Sequence, residues 1–246
     1  MIAGLSPFVA LWLGVAIFAA SWVRGYSGFG SAAIFLALAM VVTDPLPLIP
    51  ATFLMDLAMT AVQGRGVLPY IDWRRTLILT AGATLGLPVA IVVLVNLPAD
   101  GVRLVIAGII LIFALLILSG WRLKRTPGPA ALLATGITAG FANGGGIGGL
   151  PVATVLAAGA LPAAAFRATM VAFLTLMDLI SLPVMAVAGL VTRDTFLLAL
   201  AGLPLVLVGT WLGSQRFKTA PPGEFRRFTA KLLIVLALAG AARAVL

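Results

Sequence analysis

Apolar residues run along this chain in long stretches that charge, proline or glycine interrupts at intervals. Taking those interruptions as boundaries predicts five segments in the first half: Ser6 to Val23, Gly30 to Val42, Pro50 to Val62, Thr76 to Val95 and Val102 to Trp121. Five more follow in the second half: Ala130 to Phe141, Ile147 to Ala158, Ala168 to Leu190, Thr195 to Gly213 and Phe228 to Leu246. A membrane-crossing helix needs about 20 apolar residues, and several of these runs are shorter. The pattern predicts an all-α, polytopic membrane helical bundle. The earliest run, Leu5 to Val23, has no basic stretch ahead of it and is read as a retained helix rather than a signal peptide.

The two halves echo each other. Asp56 and Asp178 lie 122 residues apart, and so do Asp72 and Asp194. Pro98 to Arg103 aligns with Pro221 to Arg226 at a spacing of 123, and the glycine clusters around Gly28 and Gly148 at 120. Gly82 to Gly86 aligns with Gly209 to Gly213 only at 127, which requires a gap in the fourth segments. The expected organisation is one membrane domain of two repeats, residues 1–126 and 127–246, with about five hydrophobic segments each.

Basic residues set the orientation, because short loops rich in Lys and Arg stay cytoplasmic. Arg65, Arg74 and Arg75 fall between one pair of segments, Arg122, Lys124 and Arg125 between another, and Arg167 between a third. Arg216, Lys218, Arg226 and Arg227 fall between the last pair, with Lys231 just beyond. Putting these on one side leaves only Arg103, Arg193 and Arg243 opposite, with Arg24 at a break. An odd number of segments per repeat then inverts the second copy relative to the first, as alternating access about a central site requires.

Composition narrows the function. Hydrophobic residues make up 62% of 246 and charged ones 9%, with a mean hydropathy of +1.20, so any activity sits in the bilayer or at its faces. The net charge of +9 sits in short clusters between apolar runs, as orientation signals do, and implies no nucleic-acid partner. The absence of cysteine and histidine removes thiol chemistry, Cys or His metal ligation and imidazole bases, and no metal or other cofactor is expected. With no nucleophile-plus-base arrangement in view, a membrane-embedded enzyme is the least favoured class and the chain is read as not an enzyme. No phosphate-binding P-loop is present, so transport must draw on gradients or on a separate partner.

Candidate chemistry lies at two glycine breaks, Arg24 to Ser31 and Asn143 to Pro151. Non-helical backbone is tolerated in a bilayer only where protein buries it or it lines a wet cavity. Each break leaves the amides of the following helix free, at the positive end of its dipole, to meet an anion. Ser27, Ser31 and Asn143 add side-chain donors there and Arg24 a fixed positive charge, and each break makes a glycine-broken or re-entrant hairpin in its repeat. Close helix packing is the alternative role for such glycines. Asp56 and Asp178 lie mid-segment, either as proton carriers or as structural groups satisfied by freed backbone or by Arg24 or Arg167. Arg167 either reaches the central site as an accessory anion contact or snorkels to the headgroups.

The stretch Val23-Arg24-Gly25-Tyr26-Ser27-Gly28-Phe29-Gly30-Ser31 closely resembles the first-repeat motif of the TauE/SafE sulfite-exporter family, also called TSUP, and Gly144 to Pro151 resembles its second-repeat counterpart. The likeness extends to Pro50, Gly82 to Gly86 and Phe166-Arg167-Ala168. It implies a multi-pass protein of the bacterial inner membrane that exports a small anion such as sulfite or an organosulfonate. By this resemblance the anion-binding residues are Arg24, Ser27, Gly28 and Gly30 from the first break, and Asn143, Gly145, Gly146 and Gly148 from the second. Asn143 and the density of glycine around it depart from the sulfite-linked members and leave selectivity open. An anion channel is the alternative, and a homodimer is one option for the assembly.

Overall fold

The structure, a computed structural model, describes residues 6–119, 126–159 and 161–217, the side chains at 65, 117 and 118 excepted. The predicted segment Phe228 to Leu246, the basic residues Arg122, Lys124 and Arg125 and everything from Lys218 onward lie outside the described residues. Among those described, nine α-helices follow one another: α1 (Pro7–Ser27), α2 (Ser31–Ala39), α3 (Ile49–Val67), α4 (Trp73–Val95), α5 (Ala99–Leu118), α6 (Pro129–Gly144), α7 (Gly149–Ala158), α8 (Ala163–Val187) and α9 (Arg193–Phe217). Six helices, all but α2, α6 and α7, are long and apolar enough to cross a membrane.

Local chemistry sets several ends. Ser6 caps α1 by accepting the Val9 amide at 3.3 Å, and Pro7 occupies its first turn. Asp72 caps α4 by accepting the Arg75 amide at 3.0 Å, and its other oxygen pairs with the Arg75 guanidinium at 2.6 Å. Several expected boundaries move: α3 runs on to Val67 instead of Val62 and α9 to Phe217 instead of Gly213. Helix α1 runs on to Ser27 instead of stopping at Val23, and α8 starts at Ala163 so that Arg167 lies inside it. Charge was the boundary marker in both places, and both arginines prove to be held by the protein, which lets the helix carry them.

Close backbone approach organises the bundle. A Cβ on Gly82 would strike the Leu133 carbonyl and one on Gly86 the Ile137 carbonyl, so α4 and α6 lie against each other in the same direction. A Cβ on Gly213 would strike the Trp22 carbonyl, and one on Gly209 would come within 3.0 Å of the Phe18 carbonyl, so α9 lies along α1 in the same way. Helices α3 and α8 run antiparallel, with Thr60 bonded to Thr175 at 3.0 Å and Val67 packed with Ala168 and Val171, and just beyond α3 the Asp72 amide donates to Thr169 at 3.1 Å. Helix α2 doubles back along α1, where the Trp12 indole donates to the Leu38 carbonyl at 2.9 Å. Helix α7 returns along α6 until Gly159 reaches Pro127. Outward positions are apolar, with Leu11 70% exposed, Leu200 67% and Leu85 64%, a surface that calls for lipid rather than water.

Candidate functional site

The first break follows from two left-handed residues. Gly28, at φ 82°, ends α1, its amide donating to the Arg24 carbonyl at 2.8 Å, and Gly30, at φ 88°, opens α2. A side chain there would crowd the following carbonyl, costing about 1–2 kcal/mol, so glycine fits both positions. No side chain caps α2, which leaves its first amides facing forward. Ser27 serves the turn: its hydroxyl lies 2.9 Å from the Val23 carbonyl and 2.7 Å from the Phe29 carbonyl, and accepts the Phe29 amide at 3.3 Å.

Arg24, in the last turn of α1, is fully buried. One terminal nitrogen donates to Asp56 Oδ2 at 3.1 Å and the other to Thr60 Oγ1 at 3.4 Å. Ser31 donates to the second Asp56 oxygen at 2.6 Å. The Gln63 amide donates to the Arg24 and Gly25 carbonyls at 3.1 and 3.2 Å. Helices α1, α2 and α3 are thereby tied by one charged, hydrogen-bonded cluster in which both Asp56 oxygens and both terminal Arg24 nitrogens are paired, while the Arg24 Nε has no partner among the described residues.

The second break closes α6 at Gly144 and reopens as α7 at Gly149, with Gly146 at φ 75° and no side chain capping α7. The Asn143 amide donates to Ser181 on α8 at 2.8 Å. The two breaks meet. Arg24, Gly30, Ser31 and Asp56 from one side and Asn143, Gly146, Gly149 and Asp178 from the other line a single small cavity, with room for about one water molecule.

The remaining candidates do not line it. Gly145 packs on Ile106, Gly148 on Asn143 and Ala139, and Gly28 on Arg167. Arg167 neither enters the cavity nor snorkels away. Its guanidinium donates to the Gly25 carbonyl at 2.7 Å and to Ser214 at 3.1 Å, and sits 4.6 Å from the centre of the Phe217 ring, strapping the start of α8 to the ends of α1 and α9. Thr60, Gln63 and Ser181 were not foreseen. Their signal was helical spacing from the aspartates: Thr60 and Gln63 stand four and seven residues after Asp56, and Ser181 three after Asp178.

The serines separate two roles. Ser31→Ala strips a buried Asp56 oxygen of its donor and is expected to cost about 1–3 kcal/mol, whereas Ser27→Ala loosens only the turn, at about 1 kcal/mol. Melting temperatures of the two purified variants in detergent check this order, and equal losses would discount the Asp56 contact.

A family model described as sulfite exporter TauE/SafE matches residues 13–240. The chain belongs to the TauE/SafE family. No curated protein and no solved structure matches it. As a TauE/SafE member with six helices apolar enough to span, it is a multi-pass membrane protein of a transporter family. The TauE/SafE match spans residues 13–240, whereas the pairing of the glycine breaks is a matter of local geometry.

Proposed function

We propose that this chain is a secondary transporter that exports a small oxyanion, sulfite or an organosulfonate, bound between the two glycine breaks. The observation that carries this is the shared cavity, where the uncapped starts of α2 and α7 and the Arg24 guanidinium converge. Amides at helix starts and a guanidinium bind sulfonate or sulfite oxygens by charge-assisted bonds. A cavity with room for about one water is too small for such an anion, which enters only when the walls move apart. That favours a carrier over an open channel.

The halves 1–126 and 127–246 act, in this proposal, as inverted repeats that rock about the cavity in the bacterial inner membrane. Support comes from recurrence: α4 lies along α6 as α9 lies along α1, and α3 crosses α8 antiparallel between them. Arg74, Arg75, Arg167 and Arg216 then sit toward the cytoplasmic face, as the basic bias expects. The exposed apolar faces need only lipid as partner, so no second copy of the chain is called for.

The test is a flux and thermal-shift screen of the reconstituted protein against sulfite, sulfate, thiosulfate, sulfoacetate, taurine and short carboxylates. At least one sulfur oxyanion is expected to move with saturation and counterflow. Movement of a neutral or cationic solute alone would sink the proposal.

A further inference from the structure

Two buried carboxylates face the same cavity, and their surroundings differ. Both oxygens of Asp56 are engaged, one by Arg24 and one by Ser31. Asp178 is 1% exposed, and its Oδ2 has no hydrogen-bond partner among the described residues. A buried ionised carboxylate with an unsatisfied oxygen costs several kcal/mol, whereas a protonated one presents a donor and loses most of that cost.

The charges facing Asp178 are few. Asp56 on α3 and Arg24 on α1 approach it, and Arg24 is already balanced by Asp56. Helices α6 and α7 carry no titratable side chain. On α4 the charged residues, Arg74 and Arg75, lie in the first turn beside Asp72, near Thr169 and far along α8 from Asp178. On α8 itself Arg167 is three turns away and bound to Gly25 and Ser214. The starts of α2 and α7 each add roughly half a positive charge to the cavity wall. The ends of α1 and α6 at the same breaks add comparable negative charge, so the wall is about neutral with Asp178 protonated and carries about one negative charge, which repels an anion, with Asp178 ionised.

We propose, on the basis of the anion-permease reading above, that Asp178 is a proton site that fills together with the substrate, so that one monoanion crosses with one proton. The proton resides on Asp178 Oδ2, and its O–H donates to an oxygen of the bound anion. Opening to the other side releases the anion, and the proton leaves the carboxyl to water. No net charge crosses. Asp56 keeps its proton-free contacts with Arg24 and Ser31 throughout and is the structural partner. Net export against an inward proton gradient then requires a correspondingly larger internal excess of the anion.

Proteoliposomes loaded with a pH dye test this, with labelled methanesulfonate, a permanent monoanion, and with sulfite. Wild-type protein is expected to accumulate methanesulfonate about tenfold per unit of pH difference, inside alkaline, with matching dye acidification and no response to a potassium diffusion potential. Asp178→Asn, which holds no exchangeable proton, is expected to show a ratio of about one. Asp178→Glu, which keeps a titratable carboxyl in an altered position, is expected to keep the coupling but displace the pH profile of flux, and an unmoved profile overturns the assignment if the asparagine variant fails to fold. Wild-type flux indifferent to the pH difference, or an asparagine variant that still concentrates the anion, would overturn the assignment of Asp178 alone. No flux of either anion in the wild type would instead overturn the permease reading beneath it.

Discussion

Replacing Arg24 by alanine is expected to lower stability by about 3–5 kcal/mol and to abolish anion transport, the largest single-residue effect in the molecule. The size follows from burial. Arg24 is inaccessible to solvent, and its removal leaves the Asp56 carboxyl buried among apolar side chains with only the Ser31 hydroxyl as partner. Gln63, which holds the carbonyls of Arg24 and Gly25, and Thr60 lose their alignment with it. Anion binding falls separately, by about 1.5–3 kcal/mol, if the guanidinium meets the ligand. The double variant Arg24→Ala, Asp56→Asn distinguishes the two effects. It removes both charges, so it is expected to melt well above the single variant and yet bind sulfite no more tightly than it does. Detergent melting curves and sulfite-induced thermal shifts read both quantities, and a double variant no more stable than Arg24→Ala would show that the ion pair is not the cause.

The helices and the breaks were legible because their causes are local. Lipid demands apolar runs, and a positive-φ turn demands glycine, so Gly28, Gly30 and Gly146 stand out without knowledge of the rest of the chain. The ends of α1 and α8 were not legible from charge. Arg24 and Arg167 resemble boundary residues until their partners, Asp56 at 32 positions' distance and Gly25 at 142, come into contact. The same limit applies to Ser27. In sequence it is a donor beside a glycine, and only the turn geometry commits its hydroxyl to Val23 and Phe29. Asp56 and Asp178 look alike in the sequence, 122 residues apart, and differ in the fold because Arg24 on the first helix has no arginine counterpart on α6. That asymmetry, imposed on two similar halves, leaves one carboxylate paired and one carrying an unpartnered oxygen.

Gly86→Ala and Gly213→Ala are expected to destabilise by similar amounts, about 1–3 kcal/mol each, and together by about the sum. A methyl at Gly86 would collide with the Ile137 carbonyl and come within 2.9 Å of the Phe141 amide nitrogen, and one at Gly213 would collide with the Trp22 carbonyl and come within 2.9 Å of the Tyr26 nitrogen. The two glycines are 127 residues apart, and both pairs of partners, Ile137 with Trp22 and Phe141 with Tyr26, are separated by 115. The gap needed to align the fourth segments is therefore a shift between helices, while the contact within each helix pair keeps one geometry. Because the obstructing atoms are backbone, neither helix can yield by a rotamer change, and each must move bodily outward. Gly108→Ala is the control: a methyl there meets nothing within 4 Å, so it is expected to be neutral or to stabilise α5 by up to about 1 kcal/mol. Unfolding in mild detergent reads all four proteins. If one glycine tolerates alanine while its counterpart does not, the two helix pairs are not equivalent, and the proposal that one ancestral unit supplies both walls of the cavity loses its geometric support.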